Sequence, residues 1–424
     1  MSPDQPKSFA SSLAVTGLLF FIMGFFTWIN GPLILFAKVA FDVSDTLAFL
    51  IPSAFYISYF CLALPSSVIL KLTGMKKGLA LSLLLMAVGA AIFGQFATAR
   101  SYAGAVSGIF IIGGGLALLQ TAINPYISIL GPIEGAARRI AIMGVCNKVA
   151  GAVATYGLAK LVLHGMEDFA SQVQRATPAQ KDALLQEFSG RIYGPYMIIA
   201  VVLAVVAVAI LYSPLPDIRA EEANSTPGST GVERKSIFSF PHVWLGALCI
   251  FVYVGAEVMA GDAIGIYGVS LQLSLDNAKY FTIGTLACML AGYLLGFFLI
   301  PRYISQEKYL SLSAVLGIVF SICAMLTDGY VSIAFVALLG FANAIMWPAI
   351  FPLAIKGLGR FTEKGAALLV MGIVGGAAIP QLFAHFKAIF NFQVVFAVLM
   401  IACYLYILFF AVRGHRVGQG PAAR

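Results

Sequence analysis

The chain has 424 residues, 60% of them hydrophobic and only 10% charged, with a formal net charge of +8. Soluble domains carry roughly a quarter of their residues as charges, so eighteen acids and twenty-six bases cannot build a water-facing surface for this much protein. Disorder, a secreted disulfide scaffold, nucleic-acid binding and a soluble enzyme are all disfavoured by that ratio. Together with a mean hydropathy of +0.94, it indicates a polytopic membrane protein.

The N-terminal residues MSPDQPKSFASS are short and polar, and the apolar run after them is longer than a signal-peptide core, so the first span is expected to persist in the mature protein. A bilayer core requires about 20 apolar residues per helix. That criterion predicts spans at 11–37, 47–70, 78–98, 103–130, 138–163 and 194–213, then at 242–270, 279–300, 309–327, 330–354, 365–387 and 392–413. The expected fold is therefore all-α, with twelve transmembrane helices in two halves of six: residues 1–213 and 242–424. Residues 214–241 between them are rich in Pro, Ser, Gly and charge and read as a flexible linker. The other long polar stretch, 164–192, contains Thr177-Pro178, a start signal for a short amphipathic helix.

Basic residues orient the chain. Lys7, Lys71, Lys76, Lys77, Arg138, Arg139, the linker bases, Arg302, Lys308, Lys356, Arg360, Lys364 and the C-terminal arginines all fall on one side. The other side receives Lys38, Arg100, Arg175, Lys181, Arg191, Lys279 and Lys387. Both termini and the linker are thus expected to be cytoplasmic and the 164–192 loop external. The basic excess reports topology, with no nucleic-acid partner.

The halves share a repeat. Lys71-Leu-Thr-Gly-Met-Lys-Lys77-Gly-Leu-Ala-Leu-Ser82 can be laid on Arg302-Tyr-Ile-Ser-Gln-Glu-Lys308-Tyr-Leu-Ser-Leu-Ser313 at an offset of 231, which places Gly24 over Gly255 and Gly31 over Asp262. Ile-Asn124-Pro125 similarly resembles Ile-Phe351-Pro352. Two six-helix halves with a parallel repeat and a cytoplasmic linker describe the major facilitator architecture, in which substrate sits between the halves near the midplane.

A charge at the centre of a membrane helix costs about 2.5–3.5 kcal/mol on insertion scales. Three deep charges stand out: Lys148 in the fifth span, and Glu257 and Asp262 in the seventh. On a continuous helix the two acids lie about 140° apart, so they do not form a carboxylate pair on one face. One is expected to point into a cavity while the other packs against a neighbouring helix or a base. An incompletely paired acid there suits proton coupling, with Lys148 as counter-ion or as a donor to substrate; a permanent structural ion pair is the plainer alternative. Among neutral groups, Asn30, Gln120, Asn124, Asn147, Asn343 and Gln381 occupy spans together with Trp28 and Trp347. Amides that hydrogen-bond to vicinal hydroxyls, beside aromatic faces for a ring's C–H surface, are the lining a sugar needs; interhelical glue is the competing role for each amide. The glycine clusters 113–115 and 372–376 read as close helix packing. The six cysteines are scattered through apolar runs without a CxxC pair, and no nucleophile–base pair, metal cluster or phosphate loop is present, so neither catalysis, a cofactor nor a metal is expected.

Gln120-Thr-Ala-Ile-Asn-Pro-Tyr-Ile-Ser-Ile-Leu-Gly-Pro132, Tyr253-Val-Gly-Ala-Glu257 and Trp347-Pro-Ala-Ile-Phe-Pro-Leu-Ala-Ile-Lys-Gly-Leu-Gly359 resemble the bacterial fucose–galactose–glucose:proton symporters, within the major facilitator superfamily. The resemblance implies sugar uptake across the bacterial inner membrane driven by a proton gradient. Two departures matter. The functional acid of the fucose permease's first helix is matched here by Gly31, and the acid of its fourth helix by Gln120, as in the glucose and N-acetylglucosamine branch. Protonation is therefore expected to have moved to the seventh span, with Asp262 placed by the repeat opposite Gly31. The reading is a monomeric, proton-coupled importer of a hexose or N-acetylhexosamine. Proton coupling falls to Glu257, Asp262 and Lys148, and sugar contact to Trp28, Asn30, Gln120, Asn124, Asn147, Asn343, Trp347 and Gln381. A sodium-coupled or facilitative sugar carrier, and a proton-driven drug exporter, are the alternatives.

Overall fold

The computed structural model describes residues 5–129, 136–213, 236–300, 302–358 and 361–418, with side chains described outside 5–11, 124–129, 136–141 and 362–363. Twelve helical segments in this range are long and apolar enough to cross a membrane. The first six are Ser12–Ala40, Asp45–Thr73, Met75–Thr98, Tyr102–Ile123, Ile142–Leu161 and Tyr193–Tyr212. The second six are Pro241–Gly261, Leu275–Leu299, Gln306–Leu326, Gly329–Ile355, Lys364–Phe386 and Phe392–Val412. The division between ninth and tenth spans falls at Thr327-Asp328, as the sequence predicts. The seventh span continues past a break as Ile264–Ser270. Most of the expected linker lies outside the described residues; its last part forms a 3-10 turn, Ile237–Ser239, before Pro241 opens the seventh span. The helix expected to open at Thr177-Pro178 is Pro178–Gly190, where Gln180 Oε1 accepts the Thr177 N–H at 3.0 Å, but its apolar residues are not gathered on one face as an amphipathic helix requires. A second short helix, Met166–Arg175, precedes it.

The halves are built alike. In the first, the third span packs on the fourth and sixth, the second on the fourth, and the first on the fifth. In the second, the ninth packs on the tenth and twelfth, the eighth on the tenth, and the seventh on the eleventh. The repeat extends to local geometry. Ser44 and Ser274 each cap a four-residue helix, Asp45–Ala48 and Leu275–Ala278, at the start of the second and eighth spans. Left-handed residues recur at corresponding turns: Asp42 (φ 52°) with Gln272 (φ 60°), and Arg100 (φ 54°) with Gly329 (φ 56°). The halves meet along second against eleventh, fifth against eighth, and first against seventh spans.

Several spans are broken, two of them beside prolines, and side chains from neighbouring spans satisfy carbonyls freed there. Proline at a helix interior removes the N–H that would bond the carbonyl four residues earlier. Pro32 does this to Trp28, and the first span is interrupted at Ile29 between Gln5–Trp28 and Asn30–Ala40. The stranded Trp28 carbonyl accepts Thr155 Oγ1 from the fifth span at 3.3 Å, and Asn30 Nδ2 donates to Thr27 O at 3.2 Å. The tenth span is interrupted at Ala344-Ile345, the carbonyl of Ala344 lying four residues before Pro348, and farther along Pro352 strands the Pro348 carbonyl, which Gln306 Nε2 caps at 2.9 Å. The seventh span breaks at Asp262-Ala263 without a proline; there Thr285 and Thr282 of the eighth span donate to the carbonyls of Ala260 and Gly261, both at 2.8 Å. In a bilayer each such carbonyl needs a partner from protein, and these hydroxyls and amides supply it.

Candidate functional site

The breaks in the first and seventh spans face each other between the halves. Gly31 abuts the seventh-span break so closely that a Cβ on it would lie 2.7 Å from Thr282 Oγ1 and 3.3 Å from Asp262 Cα. Gly261 receives the edge of the Trp28 indole, where a Cβ would lie 2.5 Å from a ring carbon. The repeat predicts Gly31 opposite Asp262, and the two are in contact.

The three deep charges resolve into one pair and one single group. Lys148 Nζ lies 3.4 Å from Glu257 Oε1, with side-chain exposures of 7% and 15%, so the pair is largely withdrawn from water. The ammonium also sits 4.2 Å above the Trp28 ring centroid and 5.8 Å from that of Tyr293, a cation–π arrangement that strengthens as water is excluded. The indole Nε1 donates to Asn147 Oδ1 at 3.2 Å. Trp28, Asn147, Lys148 and Glu257 thus form one connected group drawn from spans 1, 5 and 7. Asp262 is only 1% exposed and turns the other way. Its Oδ2 accepts the Tyr56 hydroxyl at 3.2 Å, while Oδ1 has no hydrogen-bond partner. The Gly31 N–H also faces this carboxylate but lies outside hydrogen-bond geometry for Oδ1.

The remaining expected residues are placed unevenly. Trp347 is half-buried, stacked on Phe351 at 5.8 Å and 6.5 Å from the Tyr253 ring, one turn before Glu257. This makes an aromatic wall on the second half's side of the cluster. Gln120 is half-buried in the fourth span. Gln381 bridges the halves away from the cluster, donating to Thr46 O at 3.3 Å and Ser53 Oγ at 3.1 Å. Asn30 is engaged with Thr27 at the first-span break. Asn343 is fully buried against the twelfth span, its Oδ1 accepting the Tyr404 hydroxyl at 2.9 Å. The Asn124 side chain lies outside the described residues. Tyr56, Tyr293, Thr155 and Thr282 join the site without having been singled out in the sequence. Their hydroxyls sit in apolar runs, a weak signal that only the position of the breaks makes specific.

A twelve-helix bundle of two like halves, with polar and charged groups gathered where broken helices meet between them, is the architecture of a membrane carrier. The Major Facilitator Superfamily model matches residues 16–380, and the chain belongs to that superfamily. It is 31% identical to a glucose/galactose transporter of Brucella abortus over 420 residues, 97% of this chain and 96% of the other. It is 28% identical to the L-fucose-proton symporter of Escherichia coli K12 over 379 residues, 88% and 86% of the two chains. The crystal structure of the superfamily transporter FucP in the outward conformation superposes with a TM-score of 0.72 at 28% identity, covering 95% of this chain and 98% of that one.

Proposed function

We propose that the chain is a secondary active transporter that imports a monosaccharide, a hexose or an N-acetylhexosamine, by proton symport with alternating access. The observation that carries this is the central cluster: one half supplies Trp28, Asn147 and Lys148, the other supplies Glu257 and Asp262, gathered where the halves meet with Glu257 half-buried and the rest buried. Relatives described as a glucose/galactose transporter and as an L-fucose-proton symporter support sugar as cargo and the proton as coupling ion. Residues 1–213 and 242–424 are the two rocking halves of a monomer, and 214–241 their cytoplasmic connection. The membrane is the bacterial inner membrane, as the kinship with bacterial sugar transporters suggests, and the distribution of bases supports both termini inside.

In this reading Asn147, Gln120, Asn124 and Gln381 hydrogen-bond to sugar hydroxyls as the cavity opens, with Trp28 and Trp347 facing the ring. Asn30 and Asn343 hold their helices in shape beside it. Asp262 takes a proton from the open side and returns it on the other, with Glu257 held by Lys148. Uptake of labelled sugars into proteoliposomes, with and without an imposed inward proton gradient, tests the proposal. Accumulation is expected only with the gradient and is abolished in Glu257→Gln/Asp262→Asn. Accumulation that ignores the gradient, or that follows sodium instead, would overturn proton symport.

A further inference from the structure

Tyr56 lies in the second span, on the first half, whereas Asp262 lies at the seventh-span break, on the second; their 3.2 Å hydrogen bond therefore crosses the interface. The phenol is only 4% exposed, and its ring has little freedom. Phe55 meets it edge-on at 5.1 Å. From the eleventh span, Gly376 approaches so closely that a Cβ there would lie 2.9 Å from the ring carbons and 3.0 Å from Val258. Among the described residues, the other groups around Asp262 are the Gly31 backbone from the first span, with Thr282 of the eighth beside it, and the charges of Lys148 in the fifth span and Glu257 in its own. Lys148 is already committed to Glu257, and Thr282 to the Gly261 carbonyl. Tyr56 is left as the side-chain donor to this carboxylate.

We infer that Tyr56 is a positioning residue for Asp262 that converts the charge on this acid into a bond between the two halves. The inference rests on the reading of Asp262 as a coupling group. With Asp262 ionised, the phenol donates to Oδ2 and the bond is charge-assisted. When a proton from the open aqueous side forms an O–H on the carboxyl, the pair becomes neutral to neutral, about half as strong. Loading the proton thus weakens the tie between the second and seventh spans, and releasing it restores the tie. The unpartnered Oδ1 is the atom left for the proton while Oδ2 keeps its contact.

The reconstituted full-length transporter tests this with D-glucose, D-galactose and N-acetylglucosamine as probes. Two rates are compared: exchange of labelled sugar at equal concentrations without a gradient, and accumulation driven by an imposed proton gradient. Tyr56→Phe keeps the ring and removes only the hydroxyl; it is expected to retain exchange within a few-fold while gradient-driven accumulation falls about tenfold. Gly376→Ala, which displaces the ring, is expected to give the same split. A Tyr56→Phe variant that accumulates like the parent, or that loses exchange and accumulation in equal proportion, overturns the assignment. Asp262→Asn measured alongside separates the two levels of argument. If it uncouples and Tyr56→Phe does not, only the role of Tyr56 fails; if Asp262→Asn itself accumulates normally, the coupling reading fails with it.

Discussion

Lys148 and Glu257 illustrate what a buried ion pair does in this chain. Each alone would be an uncompensated charge in an apolar medium, whereas together, with the Trp28 face beneath the ammonium, they are mutually satisfied. Removing one partner of such a pair costs about 3–5 kcal/mol, because the other is left buried and unpaired. Lys148→Met and Glu257→Gln are therefore each expected to lower the thermal midpoint of the purified protein markedly. The double variant should recover a large part of the loss, a non-additivity of about 1–3 kcal/mol. Equal and additive losses in thermal unfolding would show that the pair is not coupled. The sequence singles out these charges because charge deep in a span is rare and costly. It left open whether Lys148 partners Glu257 or Asp262. A helix rotation of about 140° between the acids is compatible with either; the break at Asp262 aims the two carboxylates at different neighbours.

At the scale of helices, the same end of the bundle is fastened twice, by contacts related through the repeat. Asp45, opening the second span, pairs with Lys38 at 2.6 Å and with Lys387 at the end of the eleventh span, in the opposite half. Asp276, opening the eighth span, accepts the Met166 and Glu167 N–H groups at 3.2 and 3.4 Å. These belong to the N-terminus of the helix that follows the fifth span, where a carboxylate is favoured by the exposed N–H groups and the helix dipole. Lys279 completes this second fastening, donating to Leu163 O at 2.9 Å. These ties close the end that the proposed topology makes external. Asp45→Asn is expected to raise the labelling rate of a Ser53→Cys reporter by a membrane-impermeant maleimide about tenfold, the scale of one lost charge-assisted hydrogen bond. Asp276→Asn should act similarly and the two together more strongly, read by mass spectrometry at the reporter site. Unchanged labelling in the double variant would mean that these ties do not hold that end shut. The repeat was visible in the sequence through basic turns and the Gly31–Asp262 correspondence. The fastenings were not, since an Asp after a serine cap reads as ordinary helix-start chemistry until its partner across the interface is known.

For the whole molecule, helix number and the six-plus-six division followed from apolar run length, because a membrane allows few alternatives to helices of bilayer length. Orientation follows from the bases and predicts that both termini share the cytoplasmic side. A fluorescent protein fused to the C-terminus, which matures in the cytoplasm, should be bright, and a periplasmic phosphatase reporter at the same site inactive; the reverse pattern would invert the topology. Composition, run length and the repeat thus determined by themselves that the chain is a two-half membrane bundle with three charges deep in its spans, since each of these is local or additive along the chain. Tertiary structure alone decided which groups meet: the Trp28 carbonyl with Thr155, Lys148 with Glu257, Asp262 with Tyr56. Those pairings depend on where helices break and how two halves lie against each other, and no periodicity within a single helix encodes the residue that will face it from another.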